Sequence, residues 1–142
     1  MSAKYFLDTN IFIYSFDSGQ PKKRTQSRKL IAEALQTRDG LISTQVIQEF
    51  LNVATRKFSV PFRLDDSQDY LVKILYPLCQ VFPDQNLYRS CLDIQFKMGY
   101  SFYDSLILAS ALKSGCKILY SEDLQAGQFV DGLQIINPFL VA

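Results

Sequence analysis

Lys4-Tyr5-Phe6-Leu7-Asp8-Thr9-Asn10 is an apolar run that ends on a carboxylate and passes directly into residues that favour a helix start. Lys4 to Asp8 is predicted as a first strand. Thr9 and Asn10 then begin a helix through Ile11, Phe12, Ile13 and Tyr14, because both residue types accept the backbone N–H groups of a first turn. A second anchor lies far along the chain, where Cys116 to Tyr120 reads as an interior strand followed by Ser121-Glu122-Asp123. Asp8 and Asp123 therefore both fall just beyond the carboxyl ends of expected parallel strands, where open α/β sheets bind their ligands.

Between these anchors strands alternate with helices. After Pro21 the spacing of Leu30, Ile31, Ala34 and Leu35 predicts a helix to about Thr37, with Gly40 as its stop. Leu41-Ile42-Ser43 reads as a short buried strand, and Ser43 or Thr44 caps a helix carrying Val46, Ile47, Phe50, Leu51 and Ala54, with Glu49 on its flank. Asp65, Asp66 and Ser67 offer caps for a helix through Tyr70, Leu71, Ile74 and Leu75, and Gln80-Val81-Phe82 is the next strand, closed by Pro83. A helix through Leu87, Cys91, Ile94 and Met98 stops at Gly99. Ser101-Phe102-Tyr103-Asp104 has the form of a capping box with Asp in place of Glu, and opens a nearly apolar helix through Leu106, Ile107, Leu108, Ala109, Ala111 and Leu112 that ends at Gly115. Leu133-Gln134-Ile135-Ile136 is the last strand. The expectation is an α/β fold, a three-layer α/β/α arrangement around a mostly parallel sheet of about five strands.

At 142 residues and 48% hydrophobic, residues 1–142 are expected to form one domain with a real core. No apolar run approaches the ~18 residues of a spanning helix, and Met1-Ser2-Ala3-Lys4-Tyr5 lacks the layout of a secretory signal, so the expected location is cytoplasmic and off the membrane. The cysteines, Cys79, Cys91 and Cys116, are far apart and form no C-x-x-C pair; they read as buried small hydrophobes. Histidine is absent, which removes imidazole acid–base catalysis, Ser-His-Asp and Cys-His pairs, and imidazole metal sites. Any metal work falls to oxygen ligands, and carboxylates suit Mg²⁺ and Mn²⁺.

The acidic residues Asp8, Glu49, Asp104 and Asp123 each fall where an expected strand or helix would aim them at one cleft. That pattern points to metal-dependent phosphodiester chemistry. A phosphodiester is anionic, so attacking water and departing oxygen both need positive charge, and clustered carboxylates hold the divalent ion that supplies it. Taken singly, Asp8 and Asp104 also read as helix caps, Glu49 as a solvated helix residue, and Ser121-Glu122-Asp123 as a turn. Their coincidence in one order favours the site. Asp17 reads equally well as a loop residue and stays outside the set. A D-x-D phosphatase or a receiver domain is excluded, since Asp8 is followed by Thr9-Asn10 and no acidic pair precedes it.

The fragments Leu7-Asp8-Thr9-Asn10, Ile47-Gln48-Glu49-Phe50, Ser101 to Ile107, Leu119 to Leu124 and Ile135-Ile136-Asn137-Pro138-Phe139 together resemble a PIN-domain ribonuclease, in particular the VapC-type toxins of type II toxin–antitoxin modules. The resemblance spans essentially the whole chain. It implies strand order 3-2-1-4-5, with Asp8 and Asp123 flanking the switch point. It also implies Mg²⁺ or Mn²⁺ held by Asp8, Glu49 and Asp104, with Asp123 completing the site, and Thr9 or Asn10 and Ser121 orienting the carboxylates. An endoribonuclease acting on an RNA substrate, an antitoxin partner and a homodimer follow from the same resemblance. The alternatives are a catalytically silent PIN-like module that binds RNA or protein, and an RNA-processing nuclease that is not a toxin.

With a net charge of +1 the chain has no domain-wide basic footprint. Lys22, Lys23, Arg24, Arg28 and Lys29 nevertheless crowd one short stretch. Of these Lys22, Lys23, Arg24 and Arg28 are candidate RNA phosphate contacts, against the plainer reading of a solvated helix face. Phe102 and Tyr103, beside Asp104, are candidates for stacking unpaired bases.

Overall fold

A computed structural model of the chain describes residues 4–140; Met1 to Ala3, part of the stretch read for a signal, lie outside the described residues. The elements run β1 (Tyr5–Leu7), α1 (Thr9–Tyr14), α2 (Pro21–Thr37), β2 (Gly40–Ser43), α3 (Thr44–Arg56), α4 (Leu64–Tyr70), a π-helical turn (Leu71–Leu75), α5 (Tyr76–Leu78), β3 (Cys79–Val81), α6 (Gln85–Met98), α7 (Phe102–Lys113), β4 (Ile118–Tyr120), β5 (Phe129–Val130) and β6 (Leu133–Ile136). The sheet order is β3-β2-β1-β4-β6-β5, with every pairing parallel except β5 with β6. The expected 3-2-1-4-5 order is recovered, with Leu133–Ile136 as its fifth strand, and β5 is an addition to the edge. The chain runs from β1 through β2 to β3 and then back to β4; α1 packs against α2 and α3, and α6 against α7, as expected when parallel crossovers follow the right-handed rule and a reversal of direction moves the helices to the other face.

The switch in direction falls between β1 and β2 on one side and β4 on the other. Phe6 is paired with Leu41 and with Leu119, and the Asp8 N–H continues the ladder onto the Tyr120 carbonyl at 3.0 Å. Asp8 is thus fixed as the residue at which β1 becomes α1. Its extended backbone and side chain cap α1, with Oδ1 accepting from the Thr9 N–H at 2.7 Å. Thr9 and Asn10 were the expected caps; both instead sit inside the helix and direct their side chains elsewhere.

The core explains why these short strands hold. Phe6, Leu7, Leu41, Ile42 and Leu119 are fully buried, as are Ile11, Phe12 and Phe50 packed against them. Each such side chain contributes roughly 1.5–3 kcal/mol on burial. Helix α7 is buried continuously from Ser105 to Ala111, as its nearly apolar sequence requires, whereas α3 buries only Gln45, Val46, Phe50 and Ala54. The free cysteines are buried, in keeping with their reading as small hydrophobes.

Local expectations differ from the fold at a few points. Helix α2 ends at Thr37 as expected, but its cap is Arg38, which takes the left-handed conformation at φ 65°, and Gly40 belongs to β2. Gly40 is there for space: a Cβ would lie 2.4 Å from the Ala34 Cβ and 2.6 Å from the Tyr5 ring. Helix α4 starts from Arg63, whose N–H donates to Asp66 Oδ2 at 3.0 Å. Strand β3 lies one residue earlier than Gln80–Phe82. Strand β5 was not expected; it pairs with β6 through a tight turn in which Asp131 and Gly132 both have positive φ, 49° and 88°. Among the described residues no helix is long and apolar enough to cross a membrane.

Candidate active site

The carboxyl ends of β1 and β4, the flank of α3 and the first turn of α7 meet around an open cleft of about 300 Å³. Asp8, Asn10, Gln45, Glu49, Asp104 and Asp123 are among its lining residues. Thus the sequence-predicted acids, drawn from points up to 115 residues apart, share one cavity. Larger cavities exist elsewhere, including one of about 720 Å³ between the start of α2 and Pro138–Leu140, but it has no carboxylate in its wall.

Each acid but one is held by a neutral donor. Asp8 Oδ2 accepts from the buried Ser121 hydroxyl at 2.7 Å. Thr9 Oγ1 donates to Glu49 Oε1 at 2.5 Å, and Asn10 Nδ2 donates to Asp123 Oδ2 at 2.7 Å. Thr9, Asn10 and Ser121 thus each donate a hydrogen bond to a different acid. Asp104 stands on the first turn of α7, where its N–H donates to the Ser101 hydroxyl at 3.1 Å. Only this half of the expected capping box forms, and the Asp104 carboxylate lines the cleft.

Gln45 was not foreseen. One turn before Glu49 on α3, its Nε2 donates to Glu49 Oε2 at 3.2 Å and to the Tyr103 carbonyl at 3.1 Å, tying α3 to the start of α7. The signal was present as a polar residue four positions before an acid on the same helix face. Tyr103 lines the cleft and is 63% exposed, with the Phe102 ring edge-on to it at 5.3 Å between centroids.

The crowding has an electrostatic consequence. Burial pushes the Asp8 carboxyl up to about 6; hydrogen bonds from Ser121 and Thr9 oppose the rise, and the charges of Asp123 and Glu49 add to it. Asp123, at the rim, is also raised, chiefly by partial desolvation and with Asp104 and Glu122 contributing, against the Asn10 hydrogen bond. Such a site gains from a cation. All its donors are hard oxygens, the type that Mg²⁺ and Mn²⁺ take. Among the described residues no three acids converge closely enough to hold one ion without intervening groups. The donor set therefore fits an ion that keeps part of its water shell, as Mg²⁺ does when bound through one or two carboxylates.

The basic stretch divides. Lys23 Nζ lies 2.5 Å from Glu122 Oε2 and 4.6 Å from the centre of the Tyr14 ring. Arg28 Nε donates to the Ser15 carbonyl at 2.8 Å and so closes the end of α1. Lys22 and Arg24 form no ion pair among the described residues. Glu122 faces Lys23 and Tyr14 on the side of the loop away from the cleft, opposite to Asp123.

The chain is similar in structure to a toxin–antitoxin complex from Klebsiella pneumoniae, at 17% identity and a TM-score of 0.66 over 99% of this chain and 100% of that one. It is also similar to VapC20 of Mycobacterium tuberculosis, a sarcin–ricin loop cleaving toxin, at 16% identity and a TM-score of 0.65 over 84% and 90% of the two chains. At these identities the likeness concerns the fold. No curated protein matches. The PIN domain family model matches residues 5–129, from the first residue of β1 to the first of β5 and across every acid of the cleft; the chain belongs to the PIN domain family.

Proposed function

We propose that this chain is a Mg²⁺- or Mn²⁺-dependent endoribonuclease and the toxin half of a toxin–antitoxin pair. The observation that carries the reading is the cleft itself: Asp8, Glu49, Asp104 and Asp123 line one cavity with neutral orienting partners and no cation among those partners. An acidic cluster left without an internal counter-charge is a poor design for stability and a good one for a divalent ion.

Asp8, Glu49 and Asp104 would hold the ion, directly or through water, with Asp123 completing the site. When bound, the ion lowers the pKa of a water and neutralises charge that develops on the phosphate. The chain's own residues set the geometry. Ser121 and the Thr9 N–H fix both oxygens of Asp8. Thr9 and Gln45 fix both oxygens of Glu49. Tyr103, exposed on the wall, offers a face for an unpaired base. Lys22 and Arg24 are the candidates to meet the flanking phosphates.

The similarity to a toxin–antitoxin complex supports an antitoxin as partner. The homodimer implied by family resemblance is supported by α6, where Tyr88, Leu92 and Phe96 form an exposed stripe at i, i+4 and i+8. Sedimentation of the wild type against Phe96→Asp tests it, with loss of dimer expected.

The activity is tested with purified protein and single-stranded and structured RNAs in Mg²⁺ or Mn²⁺. Cleavage that stops in EDTA and is lost in Asp104→Asn, purified identically, is the expected result. Undiminished cleavage in excess chelator overturns it, and RNA binding with no cleavage in either metal returns the silent-module reading.

A further inference from the structure

The loop that carries Asp123 is fastened by the acid beside it. Beyond Ser121, whose N–H still reaches the Ile136 carbonyl at 3.0 Å, the chain leaves the sheet, and among the described residues the N–H groups of Glu122 and Asp123 make no backbone hydrogen bond. Side chains, not a ladder, therefore determine where Asp123 points. Ser121 turns inward to Asp8, and its oxygen also accepts the Leu124 N–H at 3.3 Å. Glu122 turns the other way, its Oε1 accepting from the Tyr14 hydroxyl at 2.6 Å and its Oε2 from Lys23 at 2.5 Å.

The two donors that meet this loop come from the same short helix. Asn10, which holds Asp123, and Tyr14, which holds Glu122, are four residues apart on α1 and so lie on one face. Lys23 braces the arrangement from α2: its ammonium sits 4.6 Å from the centre of the Tyr14 ring and 5.6 Å from that of Phe139, and these rings meet edge to face at 5.1 Å. Its charge also offsets that of Glu122, so the loop does not bring a second unbalanced anion to the cleft.

We infer that Glu122, gripped by Tyr14 and Lys23, is a positioning residue that sets the loop's register on α1 so that Asp123 meets Asn10 at the cleft. This assignment rests on reading Asp123 as part of the metal site. A partly exposed ion pair adds little to stability, so a purely structural role predicts little change anywhere. A positioning role predicts change at Asp123.

The test uses the whole chain and the variants Lys23→Met, Tyr14→Phe and Glu122→Gln, with Lys23→Arg as the conservative control. Mn²⁺ binding is measured by calorimetry, and the Asn10 side-chain amide resonances are followed by NMR without metal. Lys23→Met and Glu122→Gln are expected to weaken Mn²⁺ binding by about threefold to tenfold. They should also shift the Asn10 resonances, while Lys23→Arg stays near wild type and Glu122→Gln adds nothing in an Asp123→Asn background. Melting measured alongside separates these effects from unfolding, and Tyr14→Phe, which removes one hydroxyl, gives a milder version of the same changes. Wild-type affinity and unmoved Asn10 resonances in the three variants overturn the assignment. A wild type that binds no Mn²⁺ sinks the metal reading of the cleft instead; the Asn10 resonances then decide the positioning role alone, because they report Asp123 with no ion present.

Discussion

On one side of the loop after β4, Glu122 receives an ammonium and a phenol; on the other, Asp8 and Asp123 receive a hydroxyl, a backbone N–H and an amide. The responses are opposite. Partial burial pushes Glu122 up, but the hydrogen bonds from Lys23 and Tyr14 outweigh it and hold the carboxyl below its usual range. Asp8 and Asp123 lie above theirs. A carboxylate that already faces a cation has its field spent inside the fold. One that is oriented only by neutral dipoles keeps its field for something that arrives, and that contrast separates the acids of the cleft from the acid next door.

The largest expected break in the comparison comes from removing a cleft acid. Asp8→Asn and Asp104→Asn should each lower the metal-dependent rate by about 100-fold or more. Stability should move the other way or not at all, because a repelling charge is lost. In Asp8→Asn the amide oxygen can still accept from the Thr9 N–H, and its NH₂ can donate to Ser121. Urea midpoints in EDTA check this; a variant that is inactive because it unfolds would make that aspartate a structural cap.

Proton linkage sharpens the contrast next. Asp8 ordinarily titrates near 3.8 and is raised to about 6 in the fold. Between those values the folded state binds more protons than the unfolded one, so stability is present below about pH 4 and is lost as pH rises toward 6. The loss should reach about 3 kcal/mol in metal-free protein. Glu122 has the opposite sign: its contribution is present above its ordinary value of 4.5 and fades as pH falls through its lowered one. Chemical denaturation in EDTA across this range measures the sum, and Asp8→Asn should remove the decline. A wild-type curve as flat as that of Asp8→Asn would mean that Asp8 is ionised without cost.

A smaller effect compares neighbours directly. Asp123→Asn should reduce the rate much more than Glu122→Gln, at both limiting and saturating Mn²⁺, with Ser121→Ala between them because it loosens Asp8. Greater damage from Glu122→Gln at both metal concentrations would reverse the roles of the two adjacent acids.

How much of this was legible in the sequence follows from what each feature depends on. Strands β1 and β2 are buried throughout and β4 and β6 at alternate residues, so their apolar runs mark them, and acids just past such runs are visible as site candidates. Strand β5 has two residues and one exposed side chain, too little for a pattern, though Asp131-Gly132 is the dipeptide of a tight hairpin turn. The end of α2 near Thr37 was legible, but the stop was assigned to Gly40, whose need is room beside Ala34 and Tyr5, and Arg38 caps the helix instead. The Lys23–Glu122 pair spans 99 residues and depends on how α1, α2 and the loop are angled, which no local spacing encodes. Lys23 therefore read as part of a basic face, and Glu122 as an uncommitted neighbour of Asp123.

The smallest expected effect tests that basic face. Lys22 and Arg24 stand at the start of α2 without an ion pair among the described residues, while the Lys23 charge is engaged by Glu122. A phosphate-binding lysine or arginine releases counterions when RNA binds, so each lost contact lowers the slope of log affinity against log salt by roughly one unit. Binding should be measured with Asp104→Asn protein, which keeps the RNA intact. Lys22→Gln and Arg24→Gln should each flatten the slope, whereas Lys23→Gln should leave it nearly unchanged. The comparison between spent and available charge then extends from acids to bases. If Lys23→Gln flattens the slope as much as the other two, its bond to Glu122 gives way when RNA arrives, and Lys23 belongs to the binding face after all.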